Sequence, residues 1–330
     1  MGEYSKLKHI ITGGDGFLGK ELARKLIELE KEVIILDINK TDDEIYRSKH
    51  LEHIFLDITK LEDYKKINFE ADDVVYHLAS KVIIPIVPID ERFLAFWSAI
   101  YLGTKTLLNF LEKNTDCRNI VYTTSDMVYG RPHYIPIDEM HPKRPIGPYG
   151  FAKLNTERLC DEYREKGFRI TIFRPRLIIG KGRLGIFVKL FRLIDANLPI
   201  PLIGDGKNCY QFISVSDCAD GMIRAVEKKF PNTELNLGSI NPPKVNDLLW
   251  GLIKHAQSNS FPFPTPATLC QNILAALDLM NQPLLTSEQF MITSENCILN
   301  MKKTETELEW LPEDKDTEML ICAYDYYKKL

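Results

Sequence analysis

The sequence predicts an α/β protein, a doubly wound parallel sheet with a smaller, mostly C-terminal α/β region. Three observations lead there. Short apolar runs of strand type alternate with helical patterns through the first 175 residues, the rhythm of a sheet covered on both faces. A glycine-rich turn, Thr12 to Gly19, joins the first run to the first helix. Beyond residue 175 the alternation loosens, and Gly180, Gly182 and Gly185 interrupt the chain.

Lys8 to Thr12 reads as the first strand. Phe17 to Glu30 reads as a helix, with Leu18, Leu22, Leu26 and Leu29 recurring on one face. Val33 to Asp37 is a second strand, apolar until its acidic end, and His53 to Asp57 and Val74 to His77 are the third and fourth. A long helical pattern covers Phe93 to Lys113, and Asn119 to Thr123 is the fifth strand. Tyr149 to Lys166 is helical and Arg169 to Phe173 is a sixth strand. Helices follow near 186–196 and 216–229, Pro242-Pro243 marks a turn, and Ser258 to Pro266 reads as a linker. Residues 1–175 are expected to build the sheet, with a strand or helix returned to it from 209–240; residues 176–330, interleaved with the first part, cap its carboxyl edge.

The 330 residues are 45% hydrophobic and 27% charged, enough to bury a full core. A net charge of −4 gives no basis for broad affinity for nucleic acid or an anionic membrane. Seven scattered cysteines, with no C-x-x-C pair and no His/Cys cluster, point to reduced thiols and no metal site. The N-terminus lacks a signal-type apolar stretch, and the most apolar run, Val82 to Ile89, is broken by Pro85 and Pro88. The expectation is a cytoplasmic protein without a membrane or nucleic-acid partner.

The strongest local signal is T-G-G-D-G-F-L-G, in which Gly13, Gly16 and Gly19 are spaced G-x-x-G-x-x-G between a strand and a helix. Glycine permits the tight turn, lets backbone N–H groups approach a pyrophosphate and allows close packing of helix on strand, while the helix N-terminus favours the phosphates. Asp37, 18 residues after Gly19, ends the second strand. A carboxylate there accepts hydrogen bonds from ribose hydroxyls and repels a 2′-phosphate, so NAD is favoured over NADP. The competing reading of Asp37 is a simple turn former with Asn39. Asp57-Ile58 is placed to meet the adenine, and His77-Leu78-Ala79-Ser80 to lie beneath the middle of the cofactor, with His77 read as structural.

Tyr149 and Lys153 form Y-x-x-x-K on a helix, and the i, i+4 spacing puts both on one face. A free phenol titrates near 10 and is a poor base at neutral pH, but a neighbouring ammonium and a bound nicotinamide stabilise the phenolate. Thr123-Thr124-Ser125 follows the fifth strand and brings hydroxyls to the same edge. Alone, Y-x-x-x-K is a common pair; combined with the glycine loop and Ser125 it carries the argument.

Together these residues resemble the extended short-chain dehydrogenase/reductases, which share the Rossmann-type fold, and within them the NAD-dependent epimerase/dehydratase family with its UDP-galactose 4-epimerase-like members. The resemblance runs from T-G-G-D-G-F-L-G through H-L-A-S, S-D-M-V-Y-G and P-Y-G-F-A-K to I-G-D-G-K-N-C-Y-Q-F-I-S-V-S-D, N-L-G and K-K-T-E-T-E-L-E-W-L-P. It implies a catalytic Ser125, Tyr149 and Lys153. It implies NAD contacts from Gly13, Gly16, Phe17, Leu18, Gly19, Asp37, Asp57, Ile58, Leu78, Ala79 and Ser80, with Tyr149 and Lys153 beside the nicotinamide. It also implies a homodimer joined through the helices near 93–113 and 149–166. Four departures stand out: Met127 replaces the Glu that follows Asp126 in the dehydratases, Leu177 replaces a common Asn, Tyr210 and Gln211 stand where an Arg is frequent, and Ile100-Tyr101-Leu102-Gly103-Thr104 lacks its Asn.

The first departure disfavours dehydration. For the substrate, Asp126, Arg176, Arg183 and Tyr210 are candidate contacts, with Arg174 and Lys181 as further phosphate candidates and at least one of Arg174 and Arg176 structural. Val82 to Ile86, with Phe93, Phe96 and Trp97, is a candidate apolar pocket, a helix core or a subunit interface. Three functions remain open: an epimerase of a nucleotide-activated sugar, a dehydrogenase of a less polar alcohol, and a non-catalytic NAD sensor.

Overall fold

A computed structural model describes residues 7–82 and 87–330. Seven parallel strands form the main sheet in the order β10-β6-β5-β4-β1-β2-β3. They are β1 (Lys8–Thr12), β2 (Glu32–Asp37), β3 (Leu51–Phe55), β4 (Val74–His77), β5 (Asn119–Thr123), β6 (Arg169–Pro175) and β10 (Glu234–Leu237), the last pairing with β6 from Glu234↔Ile172 to Leu237↔Pro175. Between them in the chain, β7 (Leu177–Ile179) pairs with β9 (Phe212–Ser214), and β8 (Ile200–Ile203) with β11 (Pro262–Thr265). The helices are α1 (Phe17–Glu28), α2 (Arg92–Phe96), α3 (Gly103–Asn114), α4 (Pro148–Glu165), α5 (Phe187–Asp195), α6 (Val215–Glu227), α7 (Val245–His255), α8 (Ala267–Leu279), α9 (Ser287–Phe290), α10 (Lys302–Leu308) and α11 (Asp316–Tyr327).

The inner strands are apolar on both faces, as a sheet buried between helices requires, while the edge strand β3 leaves Glu52 and Phe55 exposed. Ile10, Ile34, Leu36, Val75 and Ile120 join one core with Leu107, Leu111 and Leu159 of α3 and α4. Their chain neighbours Ile11, Val33, Ile35, Val74 and Val121 join another with Leu22, Leu26 and Met222 of α1 and α6. A third core, with Phe191, Phe212, Leu252 and Leu320, holds α5, α7 and α11 together. The order of the sheet reverses at β1 and β4, opening a crevice at their carboxyl ends.

Three local expectations are corrected. The third strand ends at Phe55 rather than Asp57, because the Asp57 carboxylate turns the chain by accepting from the Thr59 N–H and hydroxyl. The helix expected over 93–113 contains a π-turn at Trp97–Leu102; its wider winding lets Phe96 and Ile100 both pack on Ala152 of α4. The expected linker 258–266 contains β11, an edge strand in which Pro262 and Pro264 need no ladder N–H. Among the described residues no helix is long and apolar enough to cross a membrane, and no group of three acidic, His or Cys side chains is arranged around a metal position.

Candidate active site

The glycine loop is shaped by what lies against it. Gly13 has φ +70°, and a Cβ there would stand 2.7 Å from the Ala79 backbone at the end of β4. A Cβ on Gly19 would stand 2.4 Å from the Gly13 carbonyl oxygen, so only glycine lets α1 start this close to β1. Asp15, which the motif reading passed over, pins the loop: its carboxylate accepts from the Thr41 N–H and hydroxyl and from the Tyr46 hydroxyl. Asp37 accepts from the Asp15 N–H at 3.1 Å and from the Asn39 N–H at 2.9 Å. It therefore makes the local turn and also faces the crevice.

That crevice is a cavity of about 840 Å³, bordered by all the candidate catalytic and cofactor contacts, Gly13, Gly16 to Gly19, Asp37, Asp57, Ile58, Leu78 to Ser80, Ser125, Tyr149 and Lys153, and by the substrate candidates Asp126, Arg176, Arg183 and Tyr210. Ala99, carried by the π-turn, also borders the cavity. Of the apolar candidates Val82 borders the cavity, 83–86 lie outside the described residues, and Phe93, Phe96 and Trp97 pack elsewhere. Phe96 is core against Tyr149 and Ala152, while Phe93 and Trp97 stack outside it on Phe151.

Tyr149 and Lys153 stand one turn apart on α4, the Lys153 Nζ 5.8 Å from the phenol ring centre and donating to the Thr123 carbonyl at 2.9 Å. Burial pulls the Lys153 ammonium down to about 7, against Glu157. Burial and then the Glu288 carboxylate push the Tyr149 phenol above its ordinary range; Arg183 and the Ser125 hydroxyl work in the opposite direction. Arg183 is thus the cation that most opposes burial at the phenol, and its guanidinium makes no hydrogen bond or ion pair with another described residue.

The remaining charges are committed internally. Arg176 forms a buried ion pair with Asp126 and lies under the Tyr210 ring, 4.8 Å from its centre. Arg174, fully buried, holds Glu157 through two hydrogen bonds of 2.9 and 2.7 Å and does not border the cavity. It is a structural arginine. Lys181 is exposed and away from the cavity. His77 is structural as well, bridging Thr12 and Thr104 at 2.7 and 2.8 Å.

Sequence reasoning missed the far wall. Leu177, Phe187, Leu190, Val245, Leu248 and Leu249 line that end with aliphatic and aromatic surface, and Leu285, Gln289 and Thr293 approach from the C-terminal arm. The arm had one legible signal, the Thr286-x-x-Gln289 capping box, but nothing local says which helix it touches.

The family model described as NAD dependent epimerase/dehydratase family matches residues 9–238. A Methanocaldococcus jannaschii protein named "Putative UDP-glucose 4-epimerase" is 32% identical over 260 residues, covering 74% of this chain and 81% of that one. A Sinorhizobium fredii protein, y4nG, is 29% identical over 324 residues, covering 97% and 78%. The crystal structure of UDP-glucuronic acid 4-epimerase from Bacillus cereus in complex with NAD superposes with a TM-score of 0.77 at 22% identity, covering 98% of this chain and 99% of that one.

Proposed function

The chain belongs to the NAD dependent epimerase/dehydratase family, and from that premise we propose that it is an NAD-dependent epimerase of a nucleotide-activated sugar, working by transient hydride transfer through a keto intermediate. One observation carries the reading: Tyr149, Lys153 and Ser125 open onto the same cavity as the glycine loop. The loop fits a dinucleotide, since a Cβ at Gly13 or Gly19 would collide with the backbone of Ala79 or Gly13 and force the start of α1 away from β1. Bound NAD supplies the hydride acceptor and, on return, the hydride donor.

The residues then divide the work. The backbone N–H groups of Phe17 and Leu18, at the start of α1, would hold the pyrophosphate, while the Gly16 N–H closes the turn onto the Gly13 carbonyl, and Asp37 would take the ribose hydroxyls. Asp57 and Ile58 would hold the adenine, Leu78 to Ser80 the middle of the cofactor, and Lys153 the nicotinamide ribose. Tyr149 accepts the proton of the substrate hydroxyl, and Ser125 donates a hydrogen bond to the oxygen whose charge changes. Arg183, whose guanidinium has no partner among the described residues, favours the ionised phenol and is available to a substrate anion. Asp126, tied to Arg176, is not free to act as an acid in elimination. That supports epimerisation over dehydration.

Absorbance of reduced nicotinamide with UDP-, GDP- and CDP-sugars tests the reading: epimerisation gives product with no net NADH. Tyr149→Phe should lower turnover at least about 10²-fold while NAD binding persists; unchanged turnover rules the mechanism out. A second reading, a dehydrogenase of a less polar alcohol, draws on the aliphatic far wall of the cavity. Net NADH from an apolar alcohol, with every sugar inert, would establish it instead. The exposed Phe93, Leu94, Leu102 and Phe151 on α2 to α4 support pairing of two copies across that face.

A further inference from the structure

Helix α4 opens with Pro148, and Gly147 at its cap has no side chain to offer. The N–H groups of Tyr149 and Gly150 both donate to Glu288, at 2.9 Å to Oε1 and 2.9 Å to Oε2. A carboxylate 138 residues further along the chain therefore caps the helix that carries the phenol, and it suits the positive end of the helix dipole. Glu288 is 4% exposed, and glycine at 147 is what admits it: a Cβ there would stand 2.4 Å from the Glu288 Cγ. The seat is firm from both directions, through the capping box of Thr286 and Gln289 and through Asp278 of α8, which Arg92 of α2 grips at 2.6 and 2.8 Å.

We propose that Glu288 is a positioning residue for the reaction at Tyr149: its carboxylate, seated on the N–H groups of Tyr149 and Gly150, holds the phenol-bearing turn in place and sets the negative field in which the phenol works. This rests on Tyr149 being the proton acceptor. The charged and titratable groups facing the phenol are Lys153 on α4, Tyr122 on β5, Asp126 beyond β5, Arg183 beyond β7, and Glu288 on α9. After burial itself, Glu288 pushes the phenol up most. Burial holds the Glu288 carboxyl above the ordinary glutamate range, opposed by the two backbone N–H groups and by Arg92.

The test is a titration that needs no substrate. In NAD-loaded protein, the phenolate absorbance of each form minus that of its Tyr149→Phe counterpart reports Tyr149 alone. Glu288→Gln should lower the midpoint by about one pH unit, because a nearby anion is gone. An unmoved midpoint, with turnover still dependent on Tyr149, overturns the role of Glu288 and leaves the functional reading intact. Full turnover in Tyr149→Phe overturns that reading instead. Should Glu288→Gln fail to fold, the ¹⁵N-labelled, unaltered protein decides: the amide signals of Tyr149 and Gly150 should move together with pH, sharing one midpoint above the usual glutamate range, and a flat response sinks the proposal.

Discussion

His77 shows how much a single buried side chain contributes. The Thr104 hydroxyl donates to the Ile100 carbonyl, so it accepts from His77 Nε2, and Nδ1 is left to accept from Thr12. The ring is neutral, and burial, helped by Lys153, pulls it down to about 3. The unfolded chain takes up that proton near 6.5 and the folded one does not, so stability falls as the pH drops from about 6.5 toward 3. Replacing His77 by Gln should cut the loss of urea stability between pH 7 and 5 by about 2 kcal/mol. Equal losses in both proteins would show that the ring ionises in place. Asp37 is tested through its ligand: Asp37→Ala should weaken NAD and narrow its preference over NADP in equilibrium titrations, because the carboxylate that discriminates is gone.

At the level of elements, the loop from β1 to α1 is governed by contact distances rather than by glycine content. A Cβ at position 16 would lie 3.1 Å from the Gly13 carbonyl oxygen, a tight contact, whereas at position 19 it would lie 2.4 Å from that atom and 2.6 Å from Gly14 Cα. Gly19→Ala must therefore push α1 off β1, at a cost of about 1–3 kcal/mol, and open the phosphate cradle. Gly16→Ala should cost less. Urea unfolding and NAD calorimetry on the pair check the ranking; equal effects would mean that the helix start yields easily.

Across the whole molecule, the C-terminal arm is bound to the sheet domain by charges buried far from either chain end. Arg92 holds Asp278 through two hydrogen bonds and also donates to the Val87 carbonyl at 2.7 Å, with both side chains shut away from water. Removing one partner leaves an uncompensated charge, so Arg92→Met should cost about 3–5 kcal/mol in urea unfolding. Arg92→Met with Asp278→Leu should recover most of that. A double variant as unstable as the single one would show that packing, not charge, holds α8 on α2.

What the order of residues determined by itself was whatever depends on near neighbours. Alternating apolar runs specified strands buried on both faces, glycine spacing specified the loop, and the i, i+4 interval put Tyr149 and Lys153 on one face, because each is a matter of a few residues and local geometry. Only the tertiary structure decided which charges are free and which are committed. Arg174 and Arg176 look alike in sequence, yet one grips Glu157 and the other Asp126; Arg183 has neither. The Glu288 cap, β11 and the aliphatic far wall arise from segments distant in the chain, and no local pattern encodes a partner that chain folding alone brings within reach.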